Sequence, residues 1–184
     1  MVNILIVTGD AGEALEIWYP YQRLKEESFN VQIAAPTKKV IQSVIHDFEP
    51  GFDTYTEKRG YRIPADLSFK EVKPEKYDGL VIPGGRAPEY IRTDENLAKI
   101  VRHFLNRKKP VAVICHGSLV LIAIGAVKGR TLTAYPVLKY DIKSAGGKFV
   151  DKEVVVDKNI VTSRAWPDHP AFMREFIKLL KKKR

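Results

Sequence analysis

The chain has 184 residues, with 31 Lys and Arg against 22 Asp and Glu, and a net charge of +9. That length suits one domain with a real core, and 45% apolar with 29% charged residues excludes a disordered chain, a collagen or a disulfide scaffold. Runs such as Val111–Cys115 and Leu119–Ile124 are too short to cross a bilayer, Met1-Val2-Asn3-Ile4 lacks the charged start of a signal peptide, and a single cysteine permits no internal disulfide, which points to a reducing cytoplasm.

Asn3–Val7 is a short continuous apolar run, as expected of a strand buried on both faces of a parallel sheet. Thr8-Gly9-Asp10-Ala11-Gly12 turns the chain into a helix over Glu13–Glu27, with Leu15, Trp18, Tyr19 and Leu24 at helical spacing and Pro20 inside. Val31–Ala35 is the next strand. Thr37–Leu67 breaks this rhythm: short apolar pairs between Pro50-Gly51, Gly60 and Pro64 predict hairpins leaving the core. Gly79–Ile82 is a strand stopped by Pro83-Gly84-Gly85, and Pro88–Asn106 is a helix by the spacing of Ile91, Leu97, Ile100, Val101 and Leu105. Val111–Ile114 is a buried strand running straight into Cys115-His116-Gly117 and a helix over Ser118–Ile124. Thr131–Ala134, Glu153–Val156 and Ile160–Thr162 are short strands, and Asp168–Lys183 is an amphipathic helix with Phe172, Phe176, Ile177 and Leu180 inward. No repeat or linker interrupts the series. Strands alternating with helices predict an α/β sandwich with a mostly parallel sheet.

Five of the last seven residues are basic: Lys178, Lys181, Lys182, Lys183 and Arg184. Without them the net charge is about +4, so much of the excess is a C-terminal tail. Its position at a helix end suits the helix dipole, and neither an aromatic-rich basic stripe nor zinc-type spacing occurs elsewhere. No nucleic acid or membrane is therefore expected as a partner, and four histidines with one cysteine at no ligand spacing imply no metal.

The chemistry concentrates at Val111-Ala-Val-Ile-Cys115-His116-Gly117. A strand ending in cysteine with a helix starting at once lifts the side chain above the sheet's carboxyl edge, and a helix N-terminus favours thiolate. A buried structural cysteine is the alternative, because free cysteine is often core. Pro83-Gly84-Gly85-Arg86 ends another strand where open α/β sheets bind ligands; its backbone N–H groups form an oxyanion site or merely a turn. Glu13, after the first strand's glycine turn, reaches the same edge if the strands run parallel. It is either a carboxyl with a raised pKa beside the thiol or an acid favoured by the helix dipole. His46 and His103 are expected at the surface. His169, in Ala165-Trp166-Pro167-Asp168-His169-Pro170, admits either role.

Five motifs together resemble the ThiJ/PfpI superfamily, related to class I glutamine amidotransferases, over nearly the whole chain. They are Glu13-x-x-Glu16-x-x-Tyr19-Pro20-Tyr21, Pro83-Gly84-Gly85-Arg86-Ala87-Pro88-Glu89, Ala112-Val-Ile-Cys115-His116-Gly117, Gly129-Arg130 with Ala134-Tyr135-Pro136, and Thr162-Ser163-Arg164. The resemblance implies a flavodoxin-like three-layer sandwich and no cofactor. It implies Cys115 as elbow nucleophile, His116 as its neighbouring histidine, Glu13 as the acid on the thiol, and Gly85 with the His116 backbone as oxyanion site. Glu89 matches an acid that serves an adjacent subunit in PfpI-type enzymes, and His169 is a further accessory candidate.

Two departures bear on activity. Ala11 stands where PfpI-type sequences carry an acid. The segments His46-Asp47-Phe48-Glu49 with Thr54–Lys58, and Ala165–Pro170, resemble the glyoxalase-type members. The resemblance then implies a glutathione-independent glyoxalase turning methylglyoxal or glyoxal into lactate or glycolate through a Cys115 hemithioacetal, with deglycase activity on the same thiol. An intracellular PfpI-type cysteine peptidase and a redox-responsive stress protein or holdase are the alternatives. A homo-oligomer, a dimer or higher and up to a hexamer, is expected from Glu89 and from Phe48, Phe52, Tyr55 and Tyr61 in the excursion.

Overall fold

The computed structural model describes residues 1–182. In chain order the elements are β1 (Asn3–Val7), α1 (Ala14–Glu26), β2 (Asn30–Ala35), β3 (Val40–Asp47), β4 (Thr56–Pro64), β5 (Leu67–Ser68), β6 (Gly79–Ile82), α2 (Ala87–Ile91), α3 (Glu95–Asn106), β7 (Val111–Ile114) and α4 (Ser118–Ala123). They continue with β8 (Thr131–Leu132), α5 (Lys139–Ser144), β9 (Lys148–Phe149), β10 (Val154–Asp157), β11 (Ile160–Ser163) and α6 (His169–Lys182). The central sheet has the order β10-β11-β7-β6-β1-β2-β5. Every neighbouring pair in it is parallel except β10 with β11.

Side chains alternate between the two faces of this sheet, as the pleat requires. Leu5, Val7, Leu80, Ile82, Val111 and Val113 join one core with α2, α3, α4 and α5. Ile4, Ile6, Val81, Ala112 and Ile114 join the other with α1, α6 and the apolar side of the β3–β4 hairpin. This is the three-layer, flavodoxin-like sandwich expected from alternating strands and helices. Strand β1 lies between β2 and β6, so the chain turns to one side after β1 and later crosses to the other. The crevice beyond the carboxyl ends of β1 and β6 is the topological switch point, where open sheets hold their ligands.

The Thr37–Leu67 excursion is an antiparallel hairpin, β3 with β4, irregular between Gln42 and Val44. It is tied to the turn after β1, where the Ala11 N–H donates to the Gln42 carbonyl at 2.8 Å and the Val44 N–H to the Gly12 carbonyl at 2.9 Å. Four expectations change. The single helix over Pro88–Asn106 is two helices, because Asp94 caps α3 by accepting from the N–H groups of Asn96 and Leu97 at 2.7 and 3.2 Å. The strand at Thr131–Ala134 is only two residues long and pairs with β9 outside the central sheet. Leu15 faces outward at 49% exposure while Ile17 is fully buried, so the inner face of α1 is turned from the one expected. Helix α5 has no counterpart in the sequence reading. Lys183 and Arg184, the end of the basic tail, lie outside the described residues.

Candidate active site

Three strand ends meet at the switch point. After β7 the chain passes through a 3-10 turn over Cys115–Gly117 into α4, and Cys115 has φ 57. A non-glycine residue in that region carries backbone strain, held here by the packing around it. The close approach that builds the elbow requires glycine at Gly84. A Cβ there would lie 2.6 Å from the Cys115 Cβ and 2.6 Å from Glu16 Oε2. Gly85, at φ 75, leaves a Cβ no room either, only 2.5 Å from the Ala11 carbonyl oxygen.

The thiol is buried and surrounded by donors. His116 Nδ1 lies 3.3 Å from Cys115 Sγ, and the backbone N–H groups of His116 and Gly85 point at the sulfur. The carboxyl whose charge acts on the thiol is that of Glu16, whose Oε2 meets the same Gly84 position as the Cys115 Cβ. Its Oε2 accepts from the Gly84 N–H at 2.8 Å, and its Oε1 accepts from no donor among the described residues. This corrects the assignment of Glu13 to the thiol. Glu13 is the N-cap of α1, with Oε2 accepting from the Glu16 N–H at 2.8 Å. It lines the same pocket, one layer further from the sulfur. One helical turn separates the two carboxyls, which places both on one face of α1.

Burial dominates the electrostatics. It pushes Glu16 up to about 8, helped by the nearby Glu13 charge, and pushes Glu13 up to about 7. Burial and the Glu16 charge raise the Cys115 thiol, while the two N–H groups act the other way. Both shifts favour the protonated forms, so at neutral pH the resting pair holds two protons, and loss of one leaves a single proton shared between carboxyl and sulfur. His116 is lowered by burial to about 4 and is neutral at physiological pH.

The pocket in front of Cys115 is narrow and is walled by Glu13, Glu16, His46, Phe48, Tyr55, Tyr135, Ala165 and Trp166. Tyr135 stacks on His116 at 5.2 Å, and Tyr55 packs edge-on against both rings. His46, expected at the surface, is 8% exposed and belongs to this wall. His169 does not line the pocket: it is buried against Tyr19 at 4.9 Å, and burial lowers it to about 4. The segment that carries it reaches the pocket through Ala165 and Trp166 instead. Glu89 is exposed in the first turn of α2. Sequence reasoning passed over Glu16, His46, Tyr55, Tyr135 and Trp166 as site residues. All five sat inside a motif or segment that carried the resemblance, but none had an assigned role there. Among the described residues no group of three or more His, Cys, Asp or Glu side chains is placed to hold a metal ion, and no helix is long and apolar enough to cross a membrane.

The fold and site define a flavodoxin-like α/β protein with a cysteine on a strand-to-helix elbow beside a buried, protonatable carboxyl. The chain belongs to the DJ-1/PfpI family, which it matches over residues 2–179. It is 47% identical over 180 residues to a protein of Pyrococcus horikoshii named a deglycase, covering 98% of this chain and 100% of the relative. It is 45% identical over 180 residues to the deglycase PfpI of Pyrococcus furiosus, with the same coverage. A two-domain protein of Anabaena variabilis with DJ-1/ThiJ/PfpI-like and ferritin-like domains matches with a TM-score of 0.85 at 27% identity, over 98% of this chain and 48% of its own.

Proposed function

We propose that this protein removes small reactive carbonyl compounds through Cys115, as a glutathione-independent glyoxalase with deglycase activity at the same thiol. The observation that carries this reading is the Cys115–Glu16 pair facing a small, aromatic-walled pocket, with two N–H groups aimed at the sulfur. The relatives named deglycases support the carbonyl class. A narrow pocket hemmed in by Phe48, Tyr55, Tyr135 and Trp166 favours a two- or three-carbon aldehyde over an extended peptide.

The residues supply each step for methylglyoxal. The sulfur adds to the aldehyde carbon while Glu16 gives its proton to the carbonyl oxygen, forming a hemithioacetal. The Glu16 carboxylate then takes the C1 proton to give an enediolate and returns it to C2, while the C1 hydroxyl proton passes to the C2 oxygen, leaving a thioester on Cys115. The Gly85 and His116 N–H groups stabilise the oxyanions on the way. Water cleaves the thioester to lactate and restores the thiol. An early glycation adduct enters the same sequence once its carbonyl carbon is transferred to sulfur with release of the amine.

Assays of methylglyoxal, glyoxal, a methylglyoxal-treated amine and casein test this with wild type and Cys115→Ala. Turnover of the carbonyl substrates, lost by at least about three orders of magnitude in Cys115→Ala while the melting curve stays cooperative, is the expected result. Casein cleavage without carbonyl turnover overturns it. Self-association belongs to the same proposal and is supported by Phe48, Phe52 and Tyr61, exposed at 54%, 62% and 67%. A monomer by light scattering at micromolar concentration refutes that part.

A further inference from the structure

His46 is carried into the Cys115 pocket by β3, and it arrives already oriented. Its Nε2 pairs with Glu57 Oε2 at 2.9 Å. Glu57 is gripped in turn by Arg86, whose Nε and Nη2 reach both carboxylate oxygens at 2.8–3.1 Å. The Arg86 guanidinium holds Glu57 at about 2, so the carboxylate is charged throughout the useful pH range. A carboxylate accepting from Nε2–H fixes the tautomer and leaves the lone pair on Nδ1. No protein group bonds that nitrogen among the described residues, and Tyr55 packs over the ring at 4.4 Å. The contrast with His116 is in the wiring. The Nδ1 of His116 is already committed to the sulfur, no carboxylate among the described residues is hydrogen-bonded to its ring, and burial, only partly offset by the Asp141 charge, weakens it as a base.

We infer that His46, backed by Glu57 and Arg86, is the base that activates water against an acyl-Cys115 intermediate, so that the hairpin supplies the second half-reaction. The inference rests on the thioester in the proposed carbonyl chemistry. His46 Nδ1 takes one proton from a pocket water as its oxygen bonds to the thioester carbon. The oxyanion rests on the Gly85 and His116 N–H groups and collapses with breakage of the C–S bond. The thiolate leaves, the acid product passes its proton to the sulfur, and His46 releases its own proton to solvent. Nothing is oxidised or reduced, and one water is consumed per thioester. His46 is the catalytic member of this set, and Glu57 and Arg86 are positioning residues.

Two probes separate this inference from the reading beneath it. p-Nitrophenyl acetate acylates Cys115 directly, without glyoxalase chemistry, and methylglyoxal requires the whole sequence. In His46→Gln the p-nitrophenolate burst keeps its wild-type amplitude and its rate within about threefold, deacylation slows about 100-fold, and intact mass shows an acyl adduct that hydroxylamine removes. With methylglyoxal the same variant accumulates an adduct of one methylglyoxal on Cys115 while steady-state turnover falls. Glu57→Gln leaves the ring in place, shows the same split at a smaller size, and serves if His46→Gln does not fold. Deacylation at the wild-type rate in these variants overturns the inference, as does a burst that falls in step with deacylation. If wild type shows an acetyl burst but no methylglyoxal turnover, the glyoxalase reading fails and the deacylation rates still decide the role of His46.

Discussion

The elbow and the hairpin both wall the pocket, but they are built in opposite ways. At the elbow Gly84, Gly85, Cys115 and Gly117 are buried, tied to strand ends, and packed so closely that one methyl at Gly84 meets sulfur-bearing and carboxyl atoms at once. At the hairpin tip a Cβ on Gly51 would meet nothing within 4 Å, and Phe48 and Phe52 are more than half exposed. The difference separates two tasks. The thiol and the N–H groups aimed at it ride on the ends of the rigid sheet. Groups that close the pocket and deliver His46 ride on an element that can vary without moving the thiol.

The sharpest way to break this contrast is a methyl group on each side of it. Gly84→Ala pushes on Cys115 and Glu16, costs about 1–3 kcal/mol of stability from overpacking, and lowers carbonyl turnover by at least about 100-fold. Gly51→Ala, at φ 87, costs only about 1–2 kcal/mol of backbone strain and leaves kcat unchanged. Denaturant melts and steady-state kinetics on the two variants decide the point. Equal losses of activity would dissolve the distinction.

The second test is within the elbow. Glu16→Gln keeps the Gly84 contact but cannot return a proton, so turnover falls about 10²–10⁴-fold. Glu13→Gln keeps the N-cap acceptor and loses less than about tenfold, because Glu13 acts on the sulfur through Glu16. Reversal of that order would reinstate Glu13 as the acid on the thiol.

The buried carboxyls also set the pH dependence of stability. Glu13 and Glu16 hold protons up to about 7 and 8 when folded, against an ordinary value of 4.5. The folded state therefore carries extra protons across that range, and their contribution, full below about 4.5, is lost as pH rises towards 8. His116 and His169, lowered to about 4 from 6.5, act oppositely and add stability as pH rises from about 4 to 6.5. The two pairs offset each other below about 6.5. Above it only the carboxyls titrate, so the melting temperature falls between about 6.5 and 8. Glu16→Gln removes the upper part of that fall, and a wild-type melting temperature flat over this range would place both carboxyls in a wetter site.

The smallest effect is expected far from both regions. Lys181 pairs with Glu27 at 2.7 Å while its own side chain stays 60% exposed, a geometry that contributes about 1 kcal/mol or less. Deleting residues 181–184 leaves kcat unchanged and moves the melting temperature little. Salt-sensitive DNA binding lost with the tail would overturn the reading of the basic charge.

What the sequence determined by itself was the frame and the place of the thiol. Continuous apolar runs at β1, β6 and β7 mark strands buried on both faces, and a strand ending in Cys-His-Gly places a thiol at a sheet's carboxyl edge whatever surrounds it. The glycines after β6 announced a close approach without saying to what. The tertiary structure alone decided which carboxyl meets that thiol. Glu13 and Glu16 share one helix face, and only the seating of α1 on the sheet, with Ile17 inward and Leu15 outward, puts Glu16 at the sulfur and leaves Glu13 as its cap. It alone decided the place of His46 as well. That residue lies 69 positions from Cys115 on an excursion whose alternation shows an inner and an outer face but not what the inner face covers. Two backbone hydrogen bonds from the hairpin to Ala11 and Gly12 settle that, and such pairings between distant segments leave no local pattern in the chain.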